Sequence, residues 1–332
     1  MVSTWKVKGR GKYDNKTVMS SEYFIKNNCV SCGWGDPAIE NQEQVIDIRT
    51  YKEKWEEMYE KYKKKWGYQG IHQLFERVKE GDFLWTRLAG VYYVAQVPDT
   101  TENLFYVDLS DDAKKYDCVV QLKNIFWKKI GTEEKVPGSI SAFTKNSNAI
   151  VRVDSSEKIK ATSMFSDSVL YDRPAKKIED KNMILRFIGS YGFEDVIALW
   201  LYDKFNYVVI PSTNKTSTQK YEFVLVDGSR TNSNYSSSKR IYLQAKNGDN
   251  NLSLKDYIIN HTGDEIWLVT SRGKIYDETG KLESKKIMQY MKTNDGFEKK
   301  GYNIKELVNF LFDESKNPIL PEAIKVWTTF FE

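Results

Sequence analysis

Alternation of apolar and polar positions predicts several strands in the second half of this chain, and two of them carry polar groups. The segments 221–227 (YEFVLVD) and 241–246 (IYLQAK) are rich in β-branched and aromatic residues, which favour strands. Because side chains alternate across a strand, Gln244 and Lys246 should share one face, opposite the apolar residues between them. A carboxylate such as Glu222, an amide and an ammonium group cost free energy when buried unless they find partners. A divalent metal ion and a phosphate would be such partners.

The patterns around these two segments predict a mixed sheet flanked by helices. Apolar residues at helical spacing predict a helix over 193–205, after a break at 189–192. Strands are expected at 207–210 and 265–270, and a short helix at 252–259. This order of helices and strands is typical of an α+β or α/β domain.

The first half of the chain predicts a second, separate α+β unit. Helices are expected over 51–65 and 70–79. The segments 83–87 and 91–97, joined by Leu88-Ala89-Gly90, predict a β-hairpin. Further expectations are a polar loop over 99–117 and strands within 118–128 and over 149–153.

A polar, charged stretch between about 155 and 180 predicts the boundary between these units. We expect a first domain over 1–165 and a second over 175–332. A length of 332 residues suits two domains better than one.

The composition permits nucleic-acid binding without demonstrating it. Aromatic residues make up 14% of the chain, a density that favours β-rich cores or surfaces that stack on bases. The formal net charge of +4 is weakly basic, so a local patch matters more than the total. No signal peptide, membrane-spanning apolar run or Walker-type motif is found, so we expect a soluble, cytoplasmic protein without an ATP motor.

The cysteines and histidines argue against two classes of site. An odd count of 3 Cys does not suit a disulfide framework. Cys29 and Cys32 have CxxC spacing, but no second pair completes a zinc site, and we expect them to be small residues before a turn. The only histidines, His72 and His261, are too few for a typical zinc hydrolase.

The polar strands and the preceding helix resemble a known family of nucleases. Gly192-Phe193-Glu194 opening a helix, Glu222 in a strand and Gln244-Ala245-Lys246 in the next are similar to the Mrr-like branch of the PD-(D/E)XK superfamily. The resemblance implies that Glu222 and Gln244 hold Mg²⁺ and that Lys246 acts on the attacking water. It also implies that Glu194 orients a water or a second ion.

Simpler interpretations of these residues stay open at this stage. Glu222 stands where the family that it resembles more often has Asp. Asp227 is a rival for the metal-binding carboxylate, although it points to the opposite face of the strand and borders a turn. Gln244 and Lys246 could form a solvated strand face. Glu194 could favour a helix N-terminus, where negative charge is stabilised.

A second set of motifs in the first half resembles the PUA-like domains of the EVE type. The shared pattern is Gly33-Trp34-Gly35, Gly81-Asp82-x-x-Trp85 and the strand that ends at Val97. The resemblance implies a β-barrel with helices that holds a modified base in an aromatic cage. We nominate Trp34, Asp36 and Trp85 for this cage, with core packing as the alternative for each Trp.

Together these features predict a modification-dependent DNA endonuclease that uses Mg²⁺. Its partner would be double-stranded DNA with a modified base. We expect no membrane partner. Because one site cuts one strand, we expect a homodimer or a higher oligomer. The alternatives are a restriction endonuclease that recognises an unmodified sequence and a catalytically inactive nucleic-acid-binding protein.

Overall fold

The chain forms two compact units, 1–176 and 177–332, each with its own sheets and helices. The computed structural model describes residues 2–60, 68–141, 149–153, 156–174, 177–211, 221–229 and 239–331. Mixed α+β architecture, as predicted, is present in both units.

The first unit contains short strands and mostly short helices. Its strands are β1 (Thr4–Val7), β2 (Gly11–Tyr13), β3 (Lys16–Val18), β4 (Cys29–Ser31), β5 (Phe83–Leu88), β6 (Val91–Gln96), β7 (Phe105–Val107), β8 (Val120–Lys123), β9 (Lys128–Gly131) and β10 (Ile150–Arg152). Its α-helices are α1 (Ser20–Asn27), α2 (Asp36–Glu40), α3 (Ile48–Tyr59), α4 (Tyr68–His72), α5 (Thr101–Leu104), α6 (Asp111–Lys115), α7 (Gly138–Ser141) and α8 (Ser156–Tyr171). A π-helical segment, Gln73–Arg77, continues α4.

The strands of the first unit form open sheets rather than the expected barrel. In the part of the chain that the structure describes, one sheet has the order β10-β1-β5-β6-β9 and another the order β4-β8-β7. The edge strands β9 and β10 do not pair with each other, so no closed ring of strands is present among these residues. The hairpin β5–β6 is confirmed, and its turn places Ala89 and Gly90 at φ of 48° and 82°.

The observed elements of the first unit add detail to two expectations and contradict a third, the polar loop. The predicted helix over 51–65 is observed as α3, which ends at Tyr59, and 61–67 lie outside the described residues. The predicted loop over 99–117 contains α5, β7 and α6. The predicted boundary stretch, 155–180, includes the division at 176/177, and it also contains α8, whose buried face carries Thr162, Phe165 and Ser166.

The second unit is built on a mixed sheet, as the sequence predicts. Its strands are β11 (Tyr207–Val209), β12 (Phe223–Asp227), β13 (Arg240–Lys246), β14 (Leu252–Ser253), β15 (Glu265–Thr270), β16 (Ile275–Tyr276), β17 (Ile287–Lys292) and β18 (Phe297–Tyr302). Its α-helices are α9 (Ile184–Phe187), α10 (Ser190–Phe205), α11 (Lys305–Phe312) and α12 (Glu322–Thr328).

Among the described residues the main sheet of this unit has the order β11-β12-β13-β15-β17-β18. The central pair β13–β15 is parallel, and the other neighbours are antiparallel. The predicted helix over 252–259 is instead the short strand β14 followed by a single 3₁₀ turn, Leu254–Asp256.

Both faces of this sheet are covered at its centre. All six residues of β15 are buried. One face packs Trp267 against Trp200 of α10, with ring centroids 5.9 Å apart. The other face belongs to an apolar cluster that includes Ile266, Leu268 and Tyr290. In the described part of the chain, no helix combines the length and the apolar character that crossing a membrane requires.

Candidate active site

The side chains of Glu222, Gln244 and Lys246 meet where β12 begins and β13 ends. Glu222 lies directly before β12, and its N–H donates to the carbonyl of Leu243 at 2.9 Å. The antiparallel register therefore places Glu222 opposite Gln244. Gln244 Nε2 donates to Glu222 Oε1 at 2.8 Å, and Lys246 Nζ donates to the same oxygen at 2.6 Å.

Because side chains alternate along β13, Gln244 and Lys246 lie on the opposite face of the strand from its core residues. Ile241, Leu243 and Ala245 are fully buried. Gln244 is also buried, at 5% exposure, so its amide needs the hydrogen bond to Glu222. The interpretation of Gln244 and Lys246 as a solvated strand face therefore does not hold for Gln244.

The Glu222–Lys246 ion pair is partly open to solvent. The two side chains are 26% and 40% exposed, and an ion pair at such a site contributes about 1 kcal/mol or less to stability. The pair therefore adds little to the fold, while it leaves a carboxylate and an ammonium group within reach of a ligand.

Glu194 belongs to the same electrostatic neighbourhood. Burial and the charge of Glu222 raise the pKa of Glu194 to about 7, and the charge of Lys246 opposes this rise. Helix α10 begins at Ser190, so Glu194 lies beyond its first turn, which contains no acidic residue. A simple helix N-terminal role therefore does not explain Glu194.

Asp227, the rival acid, lies at the other end of β12. It is five positions after Glu222, which corresponds to about 16 Å along a strand. Asp227 Oδ1 accepts hydrogen bonds from the N–H and Oγ of Ser229, at 2.9 and 2.6 Å, and these bonds lower the pKa of Asp227. Asp227 is exposed and has the turn-forming role that its position next to Gly228 indicates.

The donor atoms at this site suit a hard cation. Glu222 Oε2 receives no hydrogen bond or ion pair from the described residues, and Glu194 supplies a second carboxylate nearby. Mg²⁺ prefers oxygen ligands, often takes one or two carboxylates and keeps several waters. In the described part of the chain, no group of three or more His, Cys, Asp or Glu side chains could hold a metal ion. A site at Glu222 would therefore rely on few protein ligands.

Comparison with known proteins does not assign this chain to a family. No protein-family model, curated protein or solved structure matches this chain.

In the first unit, Trp34 and Asp36 lie beside an aromatic residue that the sequence did not single out. Trp34 is half-buried, and its ring meets Tyr59 edge-on with centroids 5.3 Å apart. The hydroxyl of Tyr59 donates to Asp36 Oδ2 at 2.5 Å. Tyr51 also donates to the carbonyl of Trp34 at 2.9 Å, which supports its left-handed backbone at φ 64°. The spacing of Trp55 and Tyr59 on one helix face was the available signal for Tyr59.

Trp85, the third nominated cage residue, is a core residue. It is 0% exposed, and its indole N–H donates to Ser166 Oγ at 2.8 Å. Its ring stacks on Phe165 of α8, with centroids 6.0 Å apart. Because no face of this ring is open, the assignment of Trp85 to a base pocket was wrong.

The Gly-Asp turn before Trp85 also has a structural explanation. Asp82 is buried, and its carboxylate accepts hydrogen bonds from the N–H of Ser3 at 2.7 Å and from Trp5 Nε1 at 2.8 Å. These bonds join the start of β5 to β1. The motif therefore contributes to the sheet.

The three cysteines are buried thiols. Burial raises the pKa of each one, that of Cys32 to about 12, and Cys29 and Cys118 are likewise protonated at neutral pH. Among the described residues, Cys29 and Cys32 do not belong to any group of three or more His, Cys, Asp or Glu side chains that could hold a metal ion.

Proposed function

We propose that the protein is a modification-dependent DNA endonuclease of the Mrr-like PD-(D/E)XK type. The observation that carries the proposal is the convergence of Gln244 Nε2 and Lys246 Nζ on Glu222 Oε1, at 2.8 and 2.6 Å. It joins an acidic residue at one strand to a Gln-x-Lys pair on the next, which is the arrangement that the family resemblance requires.

Each side chain has a role in phosphodiester hydrolysis under this proposal. Mg²⁺ bound at Glu222 would neutralise charge on the scissile phosphate and lower the pKa of a bound water. Gln244 would hold the carboxylate of Glu222 in place and complete the metal shell through its amide oxygen. Lys246 would position the attacking water or stabilise the extra negative charge on phosphorus. Glu194, with its raised pKa, would hold a proton or orient a water.

The first unit would recognise the modified base. Trp34 and Tyr59 offer aromatic rings, and Asp36 offers a carboxylate next to them. A base extruded from a duplex needs stacking surfaces and a few polar partners, and these residues supply both. The proposed PUA-like character of the unit rests on this cluster and on the hairpin β5–β6.

Double-strand cleavage would require more than one copy of the chain. One site of this kind cuts one strand, so a homodimer or a higher oligomer would bring two sites to one DNA molecule. The biological role would be restriction of foreign DNA that contains a modified base.

Digestion of matched plasmids tests the proposal. Copies of one plasmid with unmodified DNA, methylated cytosine, hydroxymethylated cytosine or methylated adenine are incubated with the protein and Mg²⁺. Cutting of a modified copy alone supports the proposal. Equal cutting of all copies indicates an endonuclease that recognises unmodified DNA, and binding without any nick indicates an inactive nucleic-acid-binding protein.

A further inference from the structure

Asn247, the residue after Lys246, links three elements around the candidate active site. Its Nδ2 donates to the carbonyl of Ile188, which lies between α9 and α10. Its Oδ1 accepts from the Oγ of Ser271, directly after β15, at 2.8 Å. One side chain therefore ties the end of β13 to the start of α10 and to the end of β15.

The partners of Asn247 determine the orientation of its amide. The carbonyl of Ile188 can only accept, so it must face the amide nitrogen. The Oγ of Ser271 already accepts from the N–H of Gly248 at 2.8 Å, so its proton is available for Asn247 Oδ1. A flipped amide would place two acceptors against each other at Ile188.

Backbone hydrogen bonds support the same turn. The N–H of Ser271 donates to the carbonyl of Lys246 at 3.1 Å. The N–H groups of Arg272 and Gly273 donate to the carbonyl of Gly248 at 3.1 and 2.9 Å. The backbone on the β15 side is thus fixed without Asn247, whereas the contact to Ile188 is made by the Asn247 side chain.

We propose that Asn247 is a positioning residue that sets the placement of Glu194 relative to Lys246. The inference rests on the proposed nuclease function. Helix α10 begins at Ser190, two residues after Ile188, so a displacement of this carbonyl moves the helix that carries Glu194. Misplacement of a reacting group by about 1 Å lowers the rate of a positioned reaction roughly 100-fold.

Single substitutions separate the two links of Asn247. Asn247→Ala removes both, and Ser271→Ala removes only the link to β15. Asn250→Ala is the control, since Asn250 is an exposed asparagine three residues further along the same connection. We expect Asn247→Ala to lower kcat for cleavage of modified plasmid roughly 10- to 100-fold, with KM for DNA unchanged. Its melting midpoint should fall by roughly 2–4 °C, because the carbonyl of buried Ile188 loses the Asn247 donor. We expect a smaller loss in Ser271→Ala and none in Asn250→Ala.

Hydrogen exchange tests the link to α10 without relying on cleavage. In Asn247→Ala, but not in Ser271→Ala, the amides of Phe193 and Glu194 at the start of α10 should exchange faster. If Asn247→Ala does not fold, Asn247→Asp replaces it, because that variant keeps the acceptor for Ser271 and loses the donor to Ile188.

The outcomes distinguish this inference from the proposed function. A variant at Asn247 with wild-type kcat and wild-type exchange overturns the inference while cleavage by the wild type still stands. A wild type that cuts no plasmid overturns the nuclease proposal, and faster exchange in the variant would still show that Asn247 holds the start of α10. Loss of kcat with faster exchange supports both.

Discussion

At the scale of single residues, the second unit places a carboxyl group where it is costly to ionise. The pKa of Glu194 is raised to about 7 by burial and by the charge of Glu222. A carboxyl group whose pKa is higher in the folded than in the unfolded state destabilises the fold once pH rises above its unfolded value. A side chain with this cost is expected where function requires it.

Glu194→Gln should therefore separate stability from activity. Because the amide carries no charge, we expect the variant to gain about 1–2 kcal/mol in the free energy of unfolding at pH 8 and almost nothing at pH 4. We also expect its cleavage of modified plasmid to fall roughly 10- to 100-fold. Urea denaturation at the two pH values and a plasmid assay measure both effects. A variant that cuts like the wild type would remove Glu194 from the site.

Asp117 in the first unit gives a second, independent pH dependence. Burial raises the pKa of Asp117 to about 6, with a smaller contribution from the charge of Asp36. Between the unfolded value near 4 and this folded value, the folded state holds the proton more tightly, so stability falls as pH rises through this window.

Asp117→Asn should abolish this part of the pH profile. Asn also tolerates the left-handed backbone of this residue, at φ 57°, so the turn should be kept. We expect the variant to exceed the wild type by up to about 3 kcal/mol at pH 7 and to match it at pH 4. Parallel unfolding profiles of the two proteins between pH 4 and 7 would contradict this assignment.

At the scale of elements, the turn of the β5–β6 hairpin contains an avoidable strain. Ala89 and Gly90 both have positive φ, which a two-residue type I′ turn requires, and Asn-Gly is the preferred pair for it. We expect Ala89→Asn to stabilise the first unit by about 0.5–1 kcal/mol and Ala89→Val to destabilise it. The urea unfolding midpoints of the wild type and the two variants at one pH test this prediction. An unchanged or lower midpoint for Ala89→Asn would argue against a type I′ turn.

The sequence pattern predicted those elements that depend only on residues close together in the chain. The alternation of β13 and the Ala89-Gly90 turn were visible because each depends on two to seven consecutive residues. Helix α8 was missed because Thr162 and Ser166 are buried through hydrogen bonds, so its buried face is not apolar in composition.

The candidate site was predictable in its residue types but not in its full membership. Glu222, Gln244 and Lys246 follow from strand alternation and one antiparallel register. Asn247 meets Ile188 and Ser271 across 59 and 24 residues of sequence, and no local pattern encodes such contacts. The burial of Trp85 was likewise hidden, because a Trp in a strand has the same sequence signature in a core as in a pocket.

At the scale of the whole molecule, the proposed function assigns recognition of DNA to the first unit and cleavage to the second. Trp34→Ala removes an aromatic ring from the first unit and leaves the second unit unchanged. We expect it to lower the preference for modified over unmodified plasmid roughly tenfold, since stacking on one aromatic ring contributes about 1–3 kcal/mol. The rate at saturating DNA should stay near that of the wild type.

The control for this experiment is the Trp that the structure assigns to the core. Trp85→Phe keeps an apolar ring in the interior and loses the hydrogen bond to Ser166. It should lower the melting temperature and leave selectivity intact. Wild-type selectivity in a folded Trp34→Ala protein would mean that the base is recognised elsewhere.

The most direct test of the account is metal-dependent cleavage by proteins that differ only at Glu222. Wild type and Glu222→Gln are incubated with modified plasmid, with Mg²⁺ or with EDTA, and the nicked and linear products are quantified. We predict that wild type cuts with Mg²⁺ alone and that Glu222→Gln binds the plasmid equally well but cuts roughly 100- to 1000-fold more slowly. Equal cutting by both proteins, or cutting by wild type in EDTA, would contradict the account.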